Sequence, residues 1–416
     1  MSDRSWLRGT SPAFRLMIAT SWLSPAHWQD KQEQAIREAF CAGLDWMEYL
    51  RLVDRHRTPA LSWAALGRVR GLEIPEPARQ ELQKRSDACR MHAIRHSLKL
   101  AEVLKSFNRA GIPVMTFKGP ILSSYLYGDV GLRQFKDVDL AVTQENLTRA
   151  QTCLESLGWG LYSTYFPLSP RQWESFLRHE HHLGFVHSQG GWVLELHWRN
   201  LWDTPGQATA KWARNVASVW QGCSYQTMNP IDMVLYLCIH GANHGWFRAK
   251  WMGDMARIHA EGRVDWEAVL GEARRAGQER ALLASLYLLD QVYGLPLPGL
   301  PGNPWKDLPS LLIEVPLHNL KDPDEPAITV SVITIPRWLQ KSRYERLLLP
   351  QKAWRDSLFL LWYRREDFRT LHLPDSLFWA YAPLRPISCV WRWVRRNWPI
   401  RAGRARNLAP RSNKLQ

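Results

Sequence analysis

The chain has 416 residues, 45% hydrophobic and 22% charged, a composition that excludes general disorder and allows two to three domains. Lys and Arg number 54 against 39 Asp and Glu, and the formal charge of +15 suggests an acidic partner: nucleotide, nucleic acid or anionic membrane. Nine of those cations, and no acid, lie between Arg385 and the C-terminus, so the body itself is only mildly basic.

Residues 1–110 read as a helical region. Apolar residues recur at helical spacing over 26–57 (Ala35, Ala39, Leu44, Met47, Leu50) and again over 77–110, where Gly111 ends the pattern. The period then changes, and residues 111–200 read as an α/β core. Strands are predicted at 113–117, 138–142, 159–165, 183–187 and 192–198, with helices at 119–127 and 144–157. Gly190-Gly191 marks a hairpin turn. Residues 201–300 read as a helical domain, with helices at 232–244, 250–261, 266–276 and 279–293. Residues 301–416 form a proline-punctuated C-terminal region that ends in a basic Trp/Arg tail. The six cysteines show no C-x-x-C spacing, which points to free thiols in a reducing compartment and excludes a zinc ribbon or disulfide framework. No run of 18 apolar residues exists, so no transmembrane segment is expected and a cytoplasmic location is.

One constellation in the α/β core carries chemistry. Phe117-Lys118-Gly119-Pro120 is followed by Tyr127-Gly128-Asp129, Arg133 and then Asp137-Val138-Asp139-Leu140-Ala141-Val142. Residues two apart on a strand share a side, so Asp137 and Asp139 project together. Paired carboxylates repel unless a cation sits between them, and hard oxygen ligands favour Mg²⁺ or Mn²⁺. Glu195, on the otherwise apolar run Val193-Leu194-Glu195-Leu196, would be the third acid of a two-metal site, whose ions about 3.5–4 Å apart clamp an in-line phosphoryl displacement. Backbone N–H groups at Gly119, near a helix N-terminus, would cradle phosphate, and Lys118 and Arg133 would neutralise it.

The segments "FKGPILSSYLYGD" and "LRQFKDVDLAV" resemble the signature of the uncharacterised nucleotidyltransferase family of the polymerase-β-like superfamily. "LELHW" resembles that family's later acidic strand, and "CIHGANHGWFRAKWMGDMARI" followed by "DWEAVLGEARRAG" its downstream helices, so the resemblance covers residues 25–295. It implies an α+β fold in which a polymerase-β-like nucleotidyltransferase core, a mixed sheet with helices, is embedded between N- and C-terminal helical regions. It implies a transferase that moves a nucleoside monophosphate from an NTP, ATP foremost, to an acceptor with release of pyrophosphate. Asp137, Asp139 and Glu195 would be the catalytic and metal-binding acids, and Lys118, Gly119 and Arg133 the phosphate ligands. The sequence departs from the superfamily at Gly119-Pro120, where Gly-Ser is usual, and at Glu195, where Asp is commoner. These departures motivate the alternative, a catalytically weak or inactive nucleotide- or RNA-binding module.

His197, two residues beyond Glu195, is a candidate acceptor or nucleotide contact, as are His240, His244 and Asp254. His240 and His244 also have a zinc-ligand spacing, but Gly241-Ala242 stands where a zincin needs its Glu. The run His179-Glu180-His181-His182 precedes a strand, where it could approach the acceptor, and a solvated loop is the safer reading. Trp391, Trp393 and Trp398 interleave with Arg392, Arg395 and Arg396, a pattern suited to nucleic-acid contact, to an anionic surface, or to a packed helix with a frayed tail. The acceptor expected is an RNA 3′ end, a protein, or a peptide or small-molecule phosphate.

Overall fold

A computed structural model describes residues 4–7, 9–41, 43–162, 167–199, 212–322, 343–345, 347–348, 365–385, 387–388 and 391. Contacts divide the chain into two units. One comprises residues 1–164 with 181–354, and the other residues 165–180 with 355–416. Most of the basic tail read from the sequence, including Trp393 and Trp398, lies outside the described residues. Among those residues, no helix is long and apolar enough to cross a membrane.

The first unit opens with α1 (Pro12–Thr20), α2 (Gln29–Ala39), α3 (Trp46–His56), α4 (Pro59–Gly67) and the long α5 (Glu76–Arg109). The pattern over 26–57 is two helices rather than one. Asp45 starts the second by accepting a hydrogen bond from the Glu48 N–H, so a local cap resets the chain where periodicity alone runs on. The short β1 (Met115–Thr116) leads into α6 (Gly119–Tyr127), then β2 (Asp137–Ala141), α7 (Leu147–Ser156) and β3 (Trp159–Leu161). The helix α8 (Pro170–His179) belongs to the second unit, where Gln172 donates to the Tyr381 hydroxyl at 3.1 Å.

Back in the first unit, β4 (His182–His187) and β5 (Val193–His197) form the hairpin expected around Gly190-Gly191. A second hairpin, β6 (Val216–Trp220) and β7 (Cys223–Thr227), follows in the stretch the sequence suggested was helical. The helices α9 (Pro230–Asn243), α10 (Ala249–Ala260), α11 (Trp266–Arg275), α12 (Glu279–Tyr293) and α13 (Leu311–Lys321) follow.

Among the described residues, seven strands join one mixed sheet in the order β3-β4-β5-β2-β1-β7-β6. The pairs β2–β5 and β1–β7 are parallel, and the others antiparallel. The architecture is therefore α+β, a mixed sheet with helical flanks. Register is set by one apolar face. Val138, Leu140, Leu183, Phe185, Leu194 and Leu196 alternate along the adjacent strands β4, β5 and β2 and are buried. Each contributes about 1.5–3 kcal/mol of hydrophobic stabilisation, and a one-residue slip would turn all of them outward. That face holds the strands in place while the opposite face carries charge.

Candidate active site

Alternation puts Asp137 and Asp139 of β2, Glu195 and His197 of β5, and His182 of β4 on the face opposite the apolar one. The parallel register sets Asp139 directly beside Glu195 and Asp137 beside Val193. Asp139 and Glu195 thus meet on adjacent strands, and Asp137 shares their face two residues earlier on β2, outside the group of ligand atoms within 4.8 Å that Asp139 and Glu195 form with His197. Gly184 is the antiparallel partner of Glu195, and a Cβ built on it would come within 2.4 Å of the Tyr162 ring. Glycine leaves that space for the ring beside Glu195.

Asp139 is buried. Its Oδ1 lies 3.1 Å from His197 Nε2 and 3.4 Å from Lys118 Nζ. Burial alone would raise this carboxyl, but Lys118 and His197 outweigh it and hold the group below the usual range. His197 Nε2 also lies 3.3 Å from Glu195 Oε2. Burial opposes the imidazolium, while bonds to Asp139 and Glu195 favour it, and the net direction is upward. Asp137 is raised by burial first, then by repulsion from Asp139 and Glu195. Glu195 resists its own burial through the bond to His197 and is lowered. Its side chain keeps 29% exposure against 2% for Asp139, so Glu195, like the half-buried Asp137, is open to a solvent-borne reactant where Asp139 is not.

Lys118 is the N-cap of α6, and Gly119 follows at φ +58°, a left-handed conformation that glycine adopts without strain. A Cβ there would lie 3.6 Å from the Asp137 carbonyl, so the start of α6 abuts the start of β2. Pro120, the departure from Gly-Ser, occupies the first turn of α6, where its fixed φ suits the helix and its missing N–H is not needed. Desolvation weakens the Lys118 ammonium, yet Asp139 and Tyr236 reverse that and hold it protonated. Tyr236, on α9, was not picked from the sequence. Its ring lies 4.8 Å from Phe117 and 5.1 Å from Lys118 Nζ, and it stacks on His240. The four-residue spacing of Tyr236 and His240 on one helix was the signal for it.

Other expected contacts go elsewhere. Arg133 is not an open phosphate ligand. It is buried, with Nε 2.8 and 3.0 Å from the two carboxylate oxygens of Asp254. Asp254 is likewise enclosed and pairs with Arg133. Sequence reasoning gave each residue a ligand role because neither partner was visible from the other, 121 positions away. His240 stands edge-on to Trp251 at 5.3 Å, and burial drives its imidazole neutral. His244 is exposed and stacks on Trp251 at 5.0 Å. Among the described residues, no metal-ligand group of three includes either histidine. His181 and His182 do not form a solvated loop with His179 and Glu180. They turn toward His197, with ring centroids 5.7 and 5.2 Å away.

The donor set fits a hard divalent ion. The carboxylates of Asp139 and Glu195 supply its oxygen ligands within 4.8 Å of each other, with His197 beside them, and the like charges that raise Asp137 would be relieved by a cation. Residues 42–294, more than half of the chain and the whole of this site, match the model of a family described as uncharacterised nucleotidyltransferase. No curated protein and no solved structure matches the chain.

Proposed function

The chain belongs to the uncharacterised nucleotidyltransferase family, and from that membership we propose that it moves a nucleoside monophosphate from an NTP, ATP foremost, to a hydroxyl or phosphate acceptor in a reaction dependent on Mg²⁺ or Mn²⁺. The observation that carries the reading is the register that sets Asp139 beside Glu195, with Asp137 on the same face and Lys118 within 3.4 Å of Asp139. A divalent ion held by Asp137, Asp139 and Glu195 would supply charge neutralisation at the phosphoryl oxygens. Lys118 and the backbone at the start of α6 bind and orient the triphosphate. The acceptor oxygen forms a bond to the α-phosphorus as the bond to the bridging α–β oxygen breaks, and pyrophosphate leaves with that electron pair. Glu195, whose side chain is 29% exposed, takes the acceptor proton, and His197 orients it. An RNA 3′ hydroxyl is the acceptor that the +15 charge favours, ahead of a protein side chain or a small phosphate. The basic C-terminal tail would then contact the same anionic partner.

One observation favours the non-catalytic module instead: Asp139 Oδ1 is already engaged by both Lys118 and His197. Pyrophosphate release with each labelled NTP, Mg²⁺ or Mn²⁺, and total RNA or peptide acceptors separates the two readings. Asp139→Asn should reduce release by about a thousandfold or more, since the lost charge is worth several kcal/mol in the transition state. Full activity in that variant sinks the assignment, and nucleotide binding without turnover across acceptors supports the module.

A further inference from the structure

The proposed transfer leaves the imidazoles of His181 and His182 without a task. The two residues open β4, and the antiparallel register makes His182 the direct partner of His197 on β5. The backbone fixes the third member too, because the His181 carbonyl accepts the Trp198 N–H at 3.1 Å. Ligand atoms of His181, His182 and His197 all lie within 4.8 Å of one another. His182 Nδ1 is 3.1 Å from His181 Nε2. Two nitrogens bound at 2.0–2.1 Å to one tetrahedral zinc ion sit roughly 3.3 Å apart, so this pair needs little movement to share an ion. Among the described residues, the buried Nδ1 of His181 has no hydrogen-bond partner. His197 directs Nε2 at Asp139 and Glu195, and a metal-bound histidine characteristically gives its other nitrogen to a carboxylate.

We propose that His181, His182 and His197 form a second metal site beside the acid cluster, one that takes a borderline transition ion, Zn²⁺ first, rather than Mg²⁺. Imidazole nitrogens suit Zn²⁺, whereas Mg²⁺ demands oxygen ligands and sheds its water reluctantly. The two neighbouring sites therefore differ in ligand chemistry, and His197 is their shared wall. An ion on the imidazoles would fix the tautomer and orientation of His197, and through it the position of Glu195.

The test uses the full chain, stripped with a chelator and without nucleotide. Equilibrium dialysis should show one equivalent of Zn²⁺ retained in a large excess of Mg²⁺, and Co²⁺ should give the intense visible bands of a low-coordinate nitrogen site. His182→Gln and His181→Gln should each weaken Zn²⁺ binding by more than the 10–100-fold that loss of an outer-shell partner costs. Asp137→Asn should leave it within a factor of a few. Thermal melts confirm that each variant is folded. Absence of Zn²⁺ retention, or retention unchanged in both histidine variants, overturns the proposal. Loss in Asp137→Asn with retention in both histidine variants assigns the ion to the acids and equally overturns it. Because the readout is binding alone, a chain inert toward NTPs can still pass, and an active transferase can still fail.

Discussion

Two clusters of buried charge lie in the first unit, and they differ in balance and in access. On the strands, Asp137, Asp139 and Glu195 lie close to the Lys118 ammonium, and Glu195 remains partly open to solvent. Between the loop before β2 and the helix α10, Arg133 and Asp254 close on each other with side chains 4% and 0% exposed, and Lys250 donates to the Gln134 carbonyl at 2.7 Å. The second cluster satisfies itself and is shut. The first keeps an excess of negative charge where a solute can arrive. Both look alike as a set of ionisable residues, and only the surplus and the opening mark one of them as a place for chemistry.

Breaking the closed pair gives the largest expected effect on stability. Arg133→Met or Asp254→Leu alone leaves an uncompensated buried charge and should lower unfolding free energy by about 3–5 kcal/mol, while the double variant recovers most of the loss. Denaturant titration of the three proteins checks this, and equal losses in the single and double variants would show that the pair has no such coupling.

The closed region also sets an acid response. His56, fully buried, accepts the Ala249 N–H at 3.1 Å, and its imidazole is pushed down to about 3 by burial first and then by Arg55. Its folded value lies below the unfolded value of 6.5. The unfolded chain therefore takes up the proton first, and stability present above pH 6.5 is lost as pH falls toward 3, at ~1.4 kcal/mol per pH unit. Unfolding free energies measured across that window should show this slope in the wild type and lose it in His56→Gln, compared at each pH with its own value at pH 7.

The open cluster should respond in the opposite sense. Asp137 is raised by burial and by its acidic neighbours, so its ionised form strains the metal-free fold. Asp137→Asn should stabilise the metal-free protein at neutral pH by ~0.5–2 kcal/mol while lowering transfer activity. A melt in chelator that places the variant below wild type would remove the contrast between the clusters.

Much of this was legible from residue order, for reasons that can be stated. The cap at Asp45 and the turn at Gly190-Gly191 are local chemistry, although the first was overlooked. The start of α6 at Gly119 and the whole of α12 agree with the spacing of their apolar residues. The hairpin at 216–227 was missed because Ala217, Ser218, Ser224 and Gln226 interrupt the apolar alternation, and an edge hairpin gains much of its order from pairing β7 with β1. Tyr236 was overlooked because an aromatic residue on an apolar helix reads as core until the lysine beneath it is seen.

The sequence alone determined that Asp137 and Asp139 share a side, that Glu195 stands out on an apolar strand, and that Lys118 precedes a helix. Each follows from a period of two residues or from a cap within one turn, and such rules need no distant partner. Tertiary structure decided the rest. The apolar face of three strands fixed which residue stands opposite Glu195, burial matched Arg133 with Asp254, and the β4–β5 register carried His182 to His197. Those outcomes depend on how the chain lowers the free energy of its whole core at once, and that sum is not contained in any local window.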